Sequence, residues 1–568
     1  MVTHFFKLSC FSLFVLIIFL SPDIVRATQI TPESCSTAVV MTSSGPVCGE
    51  LVTTSTGKSS QAFLGIPFAE STAQERRWAP PVPKAPWSET RSAKAFGAIC
   101  PQSGNSQLAV PHIKSGVGKV TDKANTSLTV TFAEKSEDCL NLNVWTPADA
   151  QQGPKRAVMV FIYGGAFNQG SSSDPLYDGS YLAANKDVLL VSFNYRLGVL
   201  GFLAGDGLTG NYGFLDQQLA LAWVQKNIAS FGGDPDRVSI VGESAGAMSV
   251  SLHLFSARGS QSLFRAAVMQ SPFFSLPYKE LQEQVDVGNL FKRQLGCADT
   301  RCLRNIDAAA LVAAESTFTN PMSTIFSGPK YYIPFAPVID GVVLTQQPVN
   351  TAGQANKPFI LGTNKDEGLL FVSDKPISTE AYTLSVVNLF GRDFQKVLNQ
   401  YPFKTPDENI KTWSQVQTDG LLRCSSRYVA ANAGAPVFIY SFHHAPSFKV
   451  WGGPRCNRDG NVCHGAELPF VFHTAEQLGA KFTTDEQALS DTVSDYWVSF
   501  VKHLDPNADS RHTPNRTVWP RFTGQAKNYL VFGPSKVSVH NDPFREICGF
   551  WDEVGYNKTE PWRFVPLK

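Results

Sequence analysis

A serine hydroxyl attacks a carbonyl only where the chain lifts it clear of its neighbours and sets a base against it. Residues 238–248, Val-Ser-Ile-Val-Gly-Glu-Ser-Ala-Gly-Ala-Met, suit the first of these tasks. An apolar strand run, Val238–Val241, leads into Gly242-Glu243-Ser244-Ala245-Gly246, and a helical pattern follows. A serine on so tight a strand-to-helix turn has a strained backbone, and glycines two places before and after it relieve crowding. The turn exposes the hydroxyl and aims a helix N-terminus, which favours negative charge, at the developing anion. A chance Gly-x-Ser-x-Gly in a loop would lack the strand before it and the helix after it.

Such a serine needs a base, and the base needs a carboxylate to orient it. Among ten histidines, His464 sits in the loop segment Cys463-His464-Gly465-Ala466-Glu467. His443 and His444 close the apolar run Val437–Phe442 and are rivals that spacing alone does not separate. The acid candidates are Asp366 and Glu367, in Gly362-Thr-Asn-Lys-Asp-Glu-Gly368 directly after the run Phe359–Leu361. An acid at the C-terminal end of a parallel strand lies on the same rim as the nucleophile. Serine, acid and histidine also follow one another in an order known for such triads. Upstream, Val160-Phe-Ile-Tyr163-Gly164-Gly165-Ala166-Phe167 is a strand ending in a glycine-rich loop, whose backbone N–H groups, with that of Ala245, suit an oxyanion.

The elements that must position these groups are legible as short apolar runs: Ala157–Ile162, Val188–Phe193, Val238–Val241, Ala266–Met269, Phe359–Leu361 and Val437–Phe442. They lack polar alternation, as parallel strands covered on both faces do. Helical segments separate them; Gln217–Ser230 carries Leu219, Trp223 and Ile228 at helical spacing. Alternating strands and helices predict an α/β fold with a large, mostly parallel, doubly wound sheet. The stretch Val39–Phe68, with its Gly- and Ser-rich turns, predicts an antiparallel N-terminal edge. No linker, repeat or composition shift divides the chain, so residues 28–568 are expected to form a single domain.

The 568 residues are 43% hydrophobic and 17% charged, with a formal net charge of +1, and no Lys/Arg cluster offers nucleic acid a phosphate-binding surface. Residues 1–27 read as a removable signal peptide: Lys7 opens it, Cys10–Leu20 is an uncharged apolar run, and Val25 and Ala27 place small residues before a cut after Ala27. The apolar core is too short to favour a transmembrane anchor. The 11 cysteines then become ten, an even number suited to an oxidising compartment. Close spacing nominates Cys297 with Cys302, Cys456 with Cys463 and Cys35 with Cys48. Three sequons, at Asn125, Asn515 and Asn557, fit a secreted glycoprotein.

At the residues that carry the chemistry, and in Phe63-Leu-Gly-Ile-Pro-Phe-Ala-Glu70, Glu137-Asp-Cys-Leu-Asn-Leu-Asn-Val144 and Phe231-Gly-Gly-Asp-Pro235, the sequence resembles the type-B carboxylesterases. That family includes cholinesterases, liver-type carboxylesterases and some fungal lipases. The resemblance implies the α/β-hydrolase fold and carboxylic-ester hydrolysis through an acyl-enzyme. It implies Ser244 as nucleophile, Glu367 rather than Asp366 as acid, and His464 rather than His443 or His444 as base. It further implies Gly165, Ala166 and Ala245 as oxyanion donors, and Cys100–Cys139, Cys297–Cys302 and Cys424–Cys548 as disulfides. Local pairing of Cys35 with Cys48 and of Cys456 with Cys463 completes five bridges, the last abutting His464. No metal or organic cofactor is implied, and the expected partner is a small-molecule or lipid ester.

Two departures from the family pattern narrow the substrate. Ala166 stands where many members have a third glycine, and its methyl is expected to crowd the acyl group. Between Cys100 and Cys139 the only aromatic residue is Phe132, so the tryptophan with which cholinesterases hold the choline cation is missing, and acetylcholine is not the expected substrate. A lipase acting on long acyl chains and a catalytically silent adhesion or structural protein are the alternatives. The first is separated from a soluble esterase by interfacial activation, the second by failure to react with a fluorophosphonate.

Overall fold

Apolar runs without a polar face fold where both of their faces are covered. In this computed structural model, which describes residues 37–103, 134–318, 332–372, 374–450, 455–457, 460–509 and 515–556 together with the strands Gly118–Thr121 and Ser127–Val130, those runs become the centre of one mixed sheet. Residues 1–27, Cys35, Asn125 and Asn557 lie outside the described residues. Among the described residues the sheet has eleven strands. In chain order they are β1 (Glu50–Thr53), β2 (Ser59–Pro67), β3 (Asn141–Pro147), β4 (Arg156–Ile162), β5 (Leu189–Phe193) and β6 (Gly233–Glu243). There follow β7 (Ala266–Gln270), β8 (Phe359–Asn364), β9 (Val437–Phe442), β10 (Asn528–Phe532) and β11 (Val537–Asn541).

In space the order is β1-β2-β3-β5-β4-β6-β7-β8-β9-β10-β11. Neighbours from β5 to β10 are parallel. The edges are antiparallel, through β1, β2 and β3 on one side and β11 on the other. This is the mostly parallel sheet with an antiparallel N-terminal edge that the patterning predicts. Strand ends differ from the expected ones by a few residues. β6 is the largest change: a register shift between Gly233 and Val238 lets it reach back to pair Gly233 with Arg156. The helix expected over Gln217–Ser230 starts earlier, as α1 (Tyr212–Asn227), and tightens into a 3₁₀ turn at Ile228–Phe231.

The parallel strands are deeply buried. Ala157 through Ile162 are fully inaccessible, and burying each Val or Ile among them is worth about 1.5–3 kcal/mol. On this sheet sits α2 (Ala245–Phe255), every residue of which is buried; its polar members Ser249 and His253 find partners in the interior, Ser249 in Gln217 and His253 in Gln217 and Ser260. Arg196, just beyond β5, is tied to α1 by a two-pronged ion pair, Nε to Asp216 Oδ2 at 2.8 Å and Nη2 to Oδ1 at 2.7 Å. Disulfides join Cys100 to Cys139, Cys297 to Cys302, Cys424 to Cys548 and Cys456 to Cys463, and Cys48 is disulfide-bonded as well. Among the described residues no helix is long and apolar enough to cross a membrane.

The turn between β6 and α2 explains its two glycines. Ser244 has φ 57° and ψ −125°, a conformation costing a non-glycine residue about 1–3 kcal/mol. A Cβ on Gly242 would lie 2.4 Å from the carbonyl of Gly246. One on Gly246 would lie 1.9 Å from the carbonyl oxygen of Ile162 at the end of β4. The obstructing atoms are backbone, which cannot swing aside. Gly246→Ala is therefore expected to destabilise the fold by about 3 kcal/mol or more. Thermal unfolding beside wild type measures this, and an unchanged midpoint would contradict the packing described.

Candidate active site

Three parallel strands, β4, β6 and β8, with β7 between the last two, deliver the groups singled out in the sequence to one rim, because each group lies at or just beyond the C-terminal end of its strand. β6 delivers Glu243 and Ser244, β8 delivers Glu367, and β4 delivers the glycine-rich loop. The next strand, β9, leads into the segment that returns His464.

His464 and Glu367 meet directly. Nδ1 of the imidazole lies 2.6 Å from Oε2 of the carboxylate, and both side chains are buried. The other oxygen of Glu367 accepts the Asn364 N–H at 2.6 Å and the Ser271 hydroxyl at 2.5 Å. Its neighbour Asp366 faces elsewhere: its Oδ2 accepts the Val462 N–H at 3.0 Å, while its own N–H donates to the Val462 carbonyl at 2.9 Å. The two acids that the sequence leaves as alternatives thus have different jobs. Glu367 contacts the histidine, and Asp366 holds the strand of loop leading to it. The Cys456–Cys463 disulfide and the Asn364 side-chain amide, donating to the Cys463 carbonyl at 3.0 Å, secure the same loop.

The rival histidines are occupied away from this cluster. His443 Nε2 lies 2.9 Å from Ser441 Oγ, and burial, with Arg423 and Lys365 nearby, pushes its imidazole down to about 4. His444 Nε2 lies 3.3 Å from Glu486 Oε1.

The second ring nitrogen of His464, Nε2, is 3.0 Å from Oε1 of Glu243, the residue immediately before Ser244. This puts the imidazole against the elbow with a carboxylate on each side, and a third, Glu467, stands behind. Glu467 is buried and accepts from the Gln270 amide at 2.9 Å and the Asn364 amide at 2.5 Å. Burial by itself would push the His464 imidazole down. Glu243 and Glu367 outweigh it, helped by the Glu367 hydrogen bond and by Glu467, and the group rises to about 9. Burial pushes the Glu243 carboxyl up to about 8, with His464 pulling against it and Glu467 and Glu367 adding to the rise. Glu243, Ser271 and Glu467 are participants that motif reading passed over. Glu243 hides in the variable place of Gly-x-Ser-x-Gly. Ser271 was findable as the residue just beyond β7, the strand next to that of Ser244.

The glycine-rich loop packs on the elbow: a Cβ on Gly164 would lie 2.8 Å from Ser244 Cβ and 2.9 Å from Glu243 Oε2. Tyr163 and Phe167 are buried anchors, whereas Gly165 and Ala166 between them are partly accessible. Tyr163 stacks on Tyr195 at 4.6 Å between ring centroids, and the Tyr195 hydroxyl donates to the Tyr163 carbonyl at 3.0 Å. Gly165, Ala166 and Phe167 all have positive φ (107°, 53° and 60°), unusual for the two that are not glycine. Ala245 opens α2, where N–H groups lack acceptors within the helix. Phe273 and Phe371 flank the imidazole, with ring centroids 5.4 Å and 5.0 Å from it, and Phe371 is 44% exposed. Behind Phe273 an apolar cavity is lined by Met248, Phe274, Tyr278 and Val349. Asn515 is exposed, as a glycan acceptor must be.

A profile described as "Carboxylesterase family" matches residues 36–551. The chain is 34% identical to the "Crystal protein" of Dictyostelium discoideum over 96% of both chains. It is 34% identical to the "Cholinesterase" of Mus musculus over 89% of this chain and 84% of that one. Among solved structures, a "PNB esterase" superposes with a TM-score of 0.73 at 28% identity, covering 90% of this chain and 99% of the other.

Two outcomes follow from the carboxylate cluster. Glu243→Gln removes an anion from Nε2, so the imidazole should lose its proton at lower pH; the acidic limb of kcat/KM is expected to shift downward, and an upward or absent shift would contradict the assignment. Ser271→Ala strips a hydrogen bond from the Glu367 carboxylate and is expected to lower kcat about tenfold with KM little changed, measured by steady-state kinetics on the same ester.

Proposed function

The chain belongs to the carboxylesterase family, and from that premise we propose that it is a secreted serine carboxylic-ester hydrolase. The observation that carries the proposal is the buried His464–Glu367 hydrogen bond at the elbow of Ser244. In this reading His464 Nε2 takes the Ser244 proton as Oγ attacks the ester carbonyl, and Glu367 steadies the imidazolium through Nδ1. The N–H groups of Gly165, Ala166 and Ala245 receive the oxyanion. His464 returns its proton to the leaving alkoxide, which departs as the alcohol and leaves an acyl-Ser244. Water, deprotonated by the same imidazole, attacks the acyl carbonyl; collapse breaks the bond to Ser244, whose Oγ takes the proton back from His464, and the acid is released.

The binding geometry supports an ester with an apolar body, since Phe273 and Phe371 line the approach to His464. The 1–27 segment is proposed to be a cleaved signal, and 28–568 one hydrolase domain. Four disulfides among the described residues and an exposed sequon at Asn515 support export and glycosylation. A silent adhesion role has less support, because serine, histidine, acid and glycine-rich loop are all kept.

The test is hydrolysis of p-nitrophenyl esters from acetate to palmitate by the secreted protein, beside Ser244→Ala. Wild type is expected to turn over, and the variant to lose activity about 10³-fold or more. A short-chain optimum identifies a soluble esterase and a long-chain optimum a lipase. A folded wild type inactive across the series contradicts the proposal.

A further inference from the structure

Ala166 and Phe167 hold left-handed backbone without being glycine, so something outside the loop must keep them there. One restraint is local: Asn168 and Gln169 N–H groups both donate to the Gly165 carbonyl at 3.1 Å. Another is Gln102, whose amide accepts from the Gly170 N–H at 2.8 Å and donates to the Gly170 carbonyl at 2.9 Å. The restraint at Phe167 itself comes from the short helix Gly198–Phe202. The Gly198 N–H donates to the Phe167 carbonyl at 2.7 Å, and the Phe202 ring packs edge-on against the Phe167 ring at 5.6 Å.

That short helix is held in turn by a distant side chain. Glu315, at the end of the helix Ala308–Ser316, accepts the Val199 N–H on Oε2 at 2.8 Å. Its carboxylate lies flat on Gly198, where a Cβ would come within 2.3 Å of Oε2. On the other side of Val199, its carbonyl, part of the next peptide, accepts from the Trp78 indole at 2.9 Å. Gly198 has φ 50°, which only glycine takes without strain, and the Glu315 carboxylate leaves no room for a side chain there.

We propose that Glu315 is a positioning residue for the oxyanion loop: its carboxylate fixes Gly198 and Val199, and the Gly198–Phe167 hydrogen bond passes that restraint to the Ala166 N–H. This rests on the esterase reading, in which Ala166 is an oxyanion donor. Glu315 touches no reacting atom. Its effect is confined to how well the donor is aimed at the transition state, where small misplacements are costly. Burial, opposed by the Val199 hydrogen bond, pushes the Glu315 carboxyl up to about 7. Protonated or not, it keeps an oxygen that accepts, so an amide of the same shape should substitute for it.

The experiment compares wild type, Glu315→Ala and Glu315→Gln in the full secreted chain. Three readings are taken: ester kinetics, inhibition by a trifluoromethyl ketone that forms a tetrahedral adduct on serine, and hydrogen exchange of peptides covering residues 160–202. Glu315→Ala should lower kcat about 10- to 100-fold with KM changed less than about threefold. Ketone affinity should weaken by the same factor as kcat/KM, and exchange should quicken at 165–170 as well as at 198–202. Glu315→Gln should stay within about threefold of wild type in all three. Should Glu315→Ala not fold, the glutamine variant and Trp78→Phe, which loosens the opposite side of the Val199 peptide, carry the same comparison. Wild-type kcat and ketone affinity in a folded Glu315→Ala would overturn the inference. So would quickened exchange at 198–202 that stops short of 165–170. A wild type that neither hydrolyses esters nor binds the ketone would bring down the esterase reading first, and the exchange data would show separately whether the restraint reaches the loop.

Discussion

A buried imidazole between carboxylates is the interaction on which the rim depends. His464 is nearly inaccessible, and burial alone would make it a weak base, reluctant to take and hold a proton. Glu367 on Nδ1 and Glu243 on Nε2 reverse that preference. Carboxylates are themselves expensive to bury, and Glu367 and Glu467 are answered by hydrogen-bond donors. Glu367 takes the Ser271 hydroxyl and the Asn364 N–H, and Glu467 takes two side-chain amides. The polar network is therefore tolerated in an apolar setting because its members satisfy one another.

The second constraint is steric. The Ser244 turn, the glycine-rich loop and the ends of β4 and β6 approach so closely that Gly242, Gly246 and Gly164 have no room for a Cβ. Ser244, Ala166 and Phe167 all hold positive φ at this junction. The strained loop is reached from far along the chain by the helix Ala308–Ser316, through Glu315 and the Gly198–Phe167 hydrogen bond, while β7 through Ser271 and the Cys456–Cys463 loop through Asp366 hold the acid and the histidine segment beside it. A rigid parallel sheet makes this possible, since it fixes the strand ends from which these groups project.

Much of this was legible in the sequence because it rests on local pattern. The strand–Gly-x-Ser-x-Gly–helix run announces its own geometry, and the buried strands announce themselves by apolar continuity. Strand β3 did not, because Asn143 and Thr146 are buried polar residues that face partners distant in sequence, Ser172 and the Phe231 carbonyl. The choice between Asp366 and Glu367, or among three histidines, depends on which way adjacent side chains turn, and spacing carries no such information. The family resemblance alone implied Glu367 and His464, and these two side chains are in direct contact. Ser271 carries no motif; only the sheet order, which sets β7 between the serine and acid strands, brings it in.

The central claim is that this cluster activates Ser244, and the most direct measurement is fluorophosphonate labelling of the intact, disulfide-bonded protein followed by peptide mapping. The account predicts one adduct, on Ser244, formed quickly by wild type and much more slowly by His464→Ala. A folded protein that takes no adduct, or takes it on another residue, would contradict it.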